Sequence, residues 1–199
     1  MNTLHPWHGV SAGAAFPELI TAYIEITPFD TVKYELDKAS GLLKIDRPQK
    51  YSNLCPALYG FVPKTYCGEG IAQLCMDQTG KTGIKGDGDP LDICILSEKP
   101  INHNNILIDC IPIGGLRMID KNEADDKIIA VMKNDLVYGN MKDISEVPDA
   151  ILQRILHYFK TYKLEPNANA VEIASVYNKD IAMMVLYKAQ EDYNDLMRK

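Results

Sequence analysis

The chain lacks any apolar run long enough to span a bilayer, and its first residues carry no basic n-region of the kind that opens a secretory leader. It also lacks a Cys-x-x-Cys pair. Its five cysteines, Cys55, Cys67, Cys75, Cys94 and Cys110, are odd in number and scattered, which points to reduced core thiols in a cytoplasmic protein rather than to a disulfide framework. Basic residues are in deficit: 21 Lys and Arg against 27 Asp and Glu leave a net charge of −6. That balance argues against broad binding to nucleic acid or anionic membranes. Any anionic substrate would therefore need metal ions or a local cluster of cations. Repeats, low-complexity tracts and linkers are missing too, so residues 1–199 are expected to form a single domain. With 46% hydrophobic and 24% charged residues the chain has an ordinary globular composition and enough length for a sizeable core.

What is present is, first, a series of strands. Residues 1–17 read as an irregular arm, with His5 and His8 free and facing solvent. From Leu19 to Thr27 the chain alternates, with Ile20, Ala22, Ile24 and Ile26 on one face and Tyr23 and Glu25 on the other. A second strand over Thr31 to Asp37 puts Lys33 and Glu35 on a common face. A third returns from Leu42 to Arg47 after a Ser40-Gly41 turn. Residues 63–86 form a long connection, expected as a hairpin-like insertion with a strand near 71–77 and a turn at 78–83. Further strands are expected over 91–96, 105–119 and 127–132, the second bent where Pro112, Gly114 and Gly115 interrupt it. Helices come late. Pro148 opens one, whose apolar stripe is Ile151, Leu152, Ile155, Leu156, Phe159 and Tyr162, and another runs from Lys179 to near Met197 with Ile181, Met184, Val185, Ala189, Tyr193 and Leu196 inward. Strands followed by helices indicate an α+β fold.

The most informative stretch is Asp87-Gly88-Asp89-Pro90-Leu91-Asp92, which runs into the apolar segment Ile93-Cys94-Ile95-Leu96. Gly88 admits backbone conformations closed to other residues, and Pro90 stiffens the turn. Three carboxylates held this close at the edge of a core repel one another, and a hard cation with oxygen ligands removes that penalty. An EF-hand loop starting at Asp87 fails at Leu91 and Asp92. The segment Thr79-Gly80-Lys81-Thr82 fails as a phosphate loop, because Cys75 stands where its first glycine belongs. A second acidic loop, Asp120 to Lys127, opens onto the strand at 127–132. By themselves an acidic loop and a Lys33–Glu35 surface pair are usually just solvated.

Asp87-Gly88-Asp89-Pro90-Leu91-Asp92 resembles the signature of the soluble family I inorganic pyrophosphatases. Other segments match that family in order: Ile24-Glu25-Ile26, Val32-Lys33-Tyr34-Glu35, Ile45-Asp46-Arg47, Tyr59-Gly60, the spacing of Asp120, Asp125 and Lys127, and Tyr162-Lys163. The resemblance spans about Glu25 to Lys163. It implies a five-stranded OB-like β-barrel with extra strands and two C-terminal helices packed on it. It implies Mg²⁺-dependent hydrolysis of pyrophosphate to two phosphates by a metal-activated water, with several ions per site, which drives biosynthetic reactions that release pyrophosphate. Carried onto this chain, Asp87, Asp92, Asp120 and Asp125 are metal ligands and Asp89 is the general base. Lys33, Arg47, Tyr59, Tyr162 and Lys163 bind the two phosphoryl groups, while Glu25, Glu35 and Lys127 support them. Two positions depart from the family pattern: Cys55 stands where a tyrosine is usual and Leu58 where an asparagine is usual. The 63–86 segment is longer than the bacterial connection and nearer the eukaryotic form.

Bacterial members of that family are homohexamers and eukaryotic members dimers. An apolar inserted strand with Ile71, Leu74, Cys75 and Met76 would expose an edge, so a homo-oligomer is expected, with the hexamer preferred to the dimer. Two rivals from other classes are an OB domain that binds nucleic acid and an inactive Ca²⁺-binding scaffold. The acidic balance opposes the first. The presence of Lys33, Arg47 and Lys163 beside the full acidic set opposes the second.

Overall fold

The computed structural model describes residues 4–163 and 171–198. Its strands are β1 (Ile20–Ile26), β2 (Val32–Leu36), β3 (Leu43–Pro48), β4 (Leu58–Phe61), β5 (Lys85–Gly86), β6 (Asp92–Leu96), β7 (Ile106–Asp120), β8 (Glu123–Ala124), β9 (Lys127–Met132) and β10 (Glu172–Asn178). Its helices are α1 (Glu69–Thr79), α2 (Asp149–Thr161) and α3 (Lys179–Arg198). Five strands close on themselves in the order β1, β4, β6, β9, β7 and back to β1. This is the expected five-stranded barrel, and closure leaves it no free edge. The β6–β9 pair is parallel, while the other four pairs of the ring are antiparallel. β10, β8 and β5 extend the sheet beyond β7, and β2 with β3 forms a separate ribbon.

Side-chain period and strand geometry explain where the core lies. Ile20, Ala22 and Ile24 of β1 join Ile93, Ile95 and Ile128 in one buried cluster, which α1 and α3 cover with Ile71, Cys75, Val185 and Ala189. Ile26, Cys94, Leu116 and Ile129 point the other way, into a cluster closed by Ile155 and Phe159 of α2. Ile26 thus leaves the face it was expected to share with Ile24. The β1–β4 register slips between Ile24 and Ile26, and a bulge of one residue turns the end of the strand to the opposite side. β7 is bent at the expected place, with its register to β9 shifting between Pro112 and Gly114. At Gly60 of β4 a Cβ would collide with the carbonyl of Tyr23, so the close β1–β4 approach requires glycine there.

Other expectations change as well. Residues 69–79 are a helix, not a strand within a hairpin. Ile71, Ala72 and Cys75 are its buried residues, at the i, i+1, i+4 spacing of a helix face, and Gly80 ends it in the left-handed conformation with φ 70°. The apolar edge on which the expectation of association rested is therefore absent: this segment packs on α3 within its own chain. In α3 the expected Val185, Ala189 and Tyr193 are buried and Ile181 packs on the core, but Met184 is half exposed and Ala182 and Leu186 are buried beside them. β10 has no counterpart in the expected strands. His5 and His8 are not free: His8 Nδ1 lies 2.9 Å from the Tyr193 hydroxyl, His5 Nε2 lies 3.1 Å from the Lys38 carbonyl, and Trp7 between them is buried.

Candidate active site

The parallel β6–β9 pair sets the site. It places Asp92 opposite Lys127 at the first rung of both strands, while the antiparallel β4–β6 pair sets Phe61 opposite Asp92. β7 ends at Asp120 on the same rim, and the chain turns back through β8 to Asp125. The acidic loop enters β6 from the side. Gly88 takes φ +76°, and the Asp89 amide donates to Asp87 Oδ1 over 2.9 Å, closing a tight turn. Tyr162 caps the C-terminus of α2 and Lys163 follows it, and both reach the same rim, Tyr162 within the cluster that holds Tyr59 and Phe159.

These elements surround one cavity of about 160 Å³. Of the residues assigned from the sequence, Glu25, Lys33, Glu35, Tyr59, Asp87, Asp89, Asp92, Asp120, Asp125, Lys127, Tyr162 and Lys163 line it. Arg47 stands apart from that lining. It faces Lys33 across the β2–β3 ladder, and its Nη2 donates over 3.5 Å to the Tyr162 carbonyl, so it sits behind the wall. Trp7, Lys38 and Glu123 also line the cavity and were not foreseen. Lys38 follows the strand of Lys33 and Glu35 by two residues, and only the turn back to β3 carries its ammonium to the Asp89 carboxylate.

Charge in the cavity is tightly coupled. Lys127 is fully buried between Asp92 and Asp125 and bonds both carboxylates. Burial alone would lower its pKa, but those two anions outweigh burial and hold it well above the usual lysine range. Lys163 pairs with Asp120 at 2.7 Å and lies 3.8 Å from Asp125. Burial opposes its charge as well, yet Tyr162 and the carboxylates raise its pKa. Lys33 bonds Glu35 at 3.0 Å and Asp46 at 3.1 Å. The Tyr59 hydroxyl donates to Asp92 over 2.5 Å. Glu25 accepts the Leu36 amide at 2.7 Å and so ties the ribbon to the barrel; burial, then the nearby Asp92, pushes its pKa up to about 8. Asp87 is also pushed up to about 8, by burial and then by Asp125.

This donor set fits a hard cation. The acidic side chains on the cavity wall offer carboxylate oxygens alone, and among the described residues no His or Cys lines it. Two of these carboxylates, Asp87 and Glu25, are destabilised as anions by burial and by a neighbouring carboxylate. A cation would relieve both. Among the described residues no three acidic, His or Cys side chains are grouped closely enough to hold a metal as they stand. Lysine ammoniums occupy the gaps, with Lys127 on Asp92 and Asp125, Lys163 on Asp120, and Lys38 on Asp89.

The departures at Cys55 and Leu58 have structural accounts. Leu58 is core, in the cluster of Ile24 and Ile93. Cys55 is buried against Cys94 and Tyr158, so this position has become part of the α2 packing layer.

Comparison with known proteins gives a consistent result. Residues 22–194 match the family model described as inorganic pyrophosphatase. An inorganic pyrophosphatase of Chlamydia trachomatis serovar L2 is 52% identical over 98% of this chain and 97% of its own length. Among solved structures, the inorganic pyrophosphatase of Thermus thermophilus superposes with a TM-score of 0.80 at 28% identity, covering 96% of this chain and 99% of that one. The inorganic pyrophosphatase of Helicobacter pylori gives a TM-score of 0.75 at 34% identity, covering 93% and 97%.

Proposed function

The chain belongs to the inorganic pyrophosphatase family and hydrolyses pyrophosphate, and from this premise we propose that Mg²⁺ is its metal and that the cavity at the rim of the barrel is where it acts. The observation that carries this reading is the convergence of Asp87, Asp89, Asp92, Asp120 and Asp125 with Lys33, Lys127 and Lys163 around one small cavity. Pyrophosphate is a dense polyanion, and phosphoryl transfer needs in-line positioning and charge neutralisation more than covalent chemistry from the protein. Divalent ions bound there would supply charge neutralisation and a lowered pKa for water. Asp87, Asp92, Asp120 and Asp125 would hold them.

The chain's own groups have separable roles. Asp89, presented on the Gly88 turn, takes the proton of the attacking water. Lys33 and Lys163, with the Tyr59 and Tyr162 hydroxyls, bind the phosphoryl oxygens. Arg47 lies just behind them and offers a guanidinium fork. Lys127 bonds Asp92 and Asp125 and holds both carboxylates in place. Glu25 and Glu35 hold the ribbon and the outer waters. The result is removal of the pyrophosphate that biosynthetic reactions release.

Phosphate release tests the choice of metal. Mg²⁺ should support turnover, and Ca²⁺ should fail to and should inhibit when both are present, because the larger ion tolerates longer and less regular coordination. Equal turnover with either ion would remove a tight metal geometry from the mechanism.

We also propose a cytoplasmic location and a homo-oligomer. All five cysteines are buried and free, as suits a reducing compartment; recovery of the protein in an extracytoplasmic fraction would contradict this. The structure leaves Leu42, Ile45, Tyr51, Leu136 and Val137 well exposed, apolar area that association would cover. Light scattering at micromolar concentration should give a multiple of 22.3 kDa, and a mass near that value would show a monomer.

A further inference from the structure

The acidic loop is held in place by backbone more than by its own side chains. The Cys67 amide donates to the Asp89 carbonyl over 2.8 Å, and the Gly88 amide donates to the Cys67 carbonyl over 3.1 Å. The Leu91 amide donates to Thr65 Oγ1 over 2.9 Å, and that hydroxyl in turn donates to the Val62 carbonyl over 2.6 Å. A Cβ at Gly86 would collide with the carbonyls of Cys67 and Gly68. Residues 65–68 are thus a cradle against which residues 86–91 are laid.

The cradle is fastened to α3. Its Tyr66 amide donates to the Ala189 carbonyl over 2.9 Å. The Asp192 carboxylate, one helical turn along, accepts three amides at 3.0 Å each: Gly68 and Ile71 on Oδ2 and Gly70 on Oδ1. These are orphan donors at the N-terminus of α1, where an anion is also favoured by the aligned peptide dipoles. Gly68, the residue before α1, gives the helix no side-chain cap of its own, so Asp192 caps it from another element. The path from Asp192 to the Asp89 carbonyl runs through the capped helix start and two adjacent hydrogen-bonded residues, Gly68 and Cys67.

We propose that Asp192 is a positioning residue for the acidic loop, and that α1 serves to transmit its hold to Asp87 and Asp89. The inference rests on the reading of Asp89 as the base and Asp87 as a metal ligand. It assigns a role to residues 63–86. Loosening the cap lets the cradle shift, and displacements of the order of 1 Å at a reacting centre can cost up to about 10²-fold in rate. Lys33, Tyr162 and Lys163 stand on β2 and beyond α2, which the cap does not touch. Substrate binding should therefore survive when turnover does not.

Two substitutions test it. Asp192→Asn removes the charge and turns an N–H₂ toward an amide donor. In Gly70→Ala the new Cβ would lie 2.5 Å from both Asp192 Oδ1 and Lys188 Cδ, which forces the cap off, while alanine itself raises helix propensity. Each variant, assayed where circular dichroism shows it fully folded, should lose about tenfold in kcat and need about tenfold more Mg²⁺ for half-maximal rate, with KM for pyrophosphate unchanged. Exchange of the Cys67 and Gly88 amides with deuterated solvent should accelerate in parallel, a readout independent of activity. Ile20→Val, a core change at the far end of β1, should move none of these. Unchanged kcat and unchanged exchange in both variants would overturn the role of Asp192 and leave that of Asp89 untouched. Accelerated exchange with unchanged kcat would show that the cap holds the loop but that the loop does not limit catalysis, which also overturns the proposal. If Asp192→Asn fails to fold, Gly70→Ala alone decides.

Discussion

Asp89→Asn is expected to fold, to bind Mg²⁺ as the parent does, and to lose turnover by a factor on the order of 10² or more. The loop does not need this side chain. Its turn is closed by the Asp89 amide on Asp87 Oδ1, and its seat is the Asp89 carbonyl on the Cys67 amide; both are backbone groups that asparagine keeps. The side chain itself meets the Lys38 ammonium, and both partners are about half exposed, so losing that pair should cost about 1 kcal/mol or less. What asparagine lacks is a site to receive a proton. Calorimetric Mg²⁺ titration beside phosphate release separates the two effects. Turnover within about threefold of the parent would take Asp89 out of the base role.

Arg117→Met is expected to cost about 3–5 kcal/mol of stability, the range for breaking a buried ion pair by removing one member. Arg117 and Asp126 are almost fully buried and meet at 3.3 Å, with the Tyr177 hydroxyl donating to the same Asp126 oxygen over 3.3 Å. The pair is not fully satisfied, since among the described residues Arg117 Nε and Asp126 Oδ1 find no hydrogen-bond partner. Burial pushes the Asp126 carboxyl up to about 6 even though Arg117 opposes it. Alone in the core, Asp126 would be a buried charge without a counter-ion. Arg117→Met with Asp126→Leu should therefore recover a large part of the loss. Urea unfolding measures both variants. A single variant within about 1 kcal/mol of the parent, or a double variant no better than the single, would show that the pair does not anchor this end of β7.

The two predictions differ in how far their residues could be foreseen. Asp89 stands in a local pattern, where Gly88, Pro90 and the apolar run after Asp92 dictate a stiff turn entering a strand. Every predicted member of the site except Arg47 lines the cavity, and each was assigned from a short local segment that resembles the family pattern rather than from strand or helix period. Arg117 sits in plain view as a charge inside an apolar run, Leu116-Arg117-Met118, but its partner Asp126 belongs to a loop that reads as solvated. Pairing across the β7–β9 hairpin, a tertiary property, is what buries both.

The α1 segment escapes the sequence for a different reason. Ile71 to Asp77 is short and apolar, and short apolar runs do not separate strand from helix by periodicity. The decisive features are the glycines: Gly68 and Gly70 crowd against Asp192 from α3, and Gly80 stops the helix in a left-handed cap. Asp192 lies more than a hundred residues away along the chain, and nothing local marks it as a cap. The bulge in β1 that turns Ile26 to the second cluster escapes alternation for a similar reason, since it is fixed by pairing with β4. Lys38 and Trp7 enter the cavity only through the packing of the ribbon and the N-terminal segment on the barrel.

The central claim, that carboxylates around this cavity use bound Mg²⁺ to hydrolyse pyrophosphate, is tested most directly by stripping the protein of divalent ions with a chelator and adding Mg²⁺ back while orthophosphate release is followed. Release should match an enzyme-free blank before addition. It should then rise to a plateau with added Mg²⁺, yielding two phosphates for each pyrophosphate consumed. Full turnover by the stripped protein, or no release above the blank at any Mg²⁺ concentration, would contradict it.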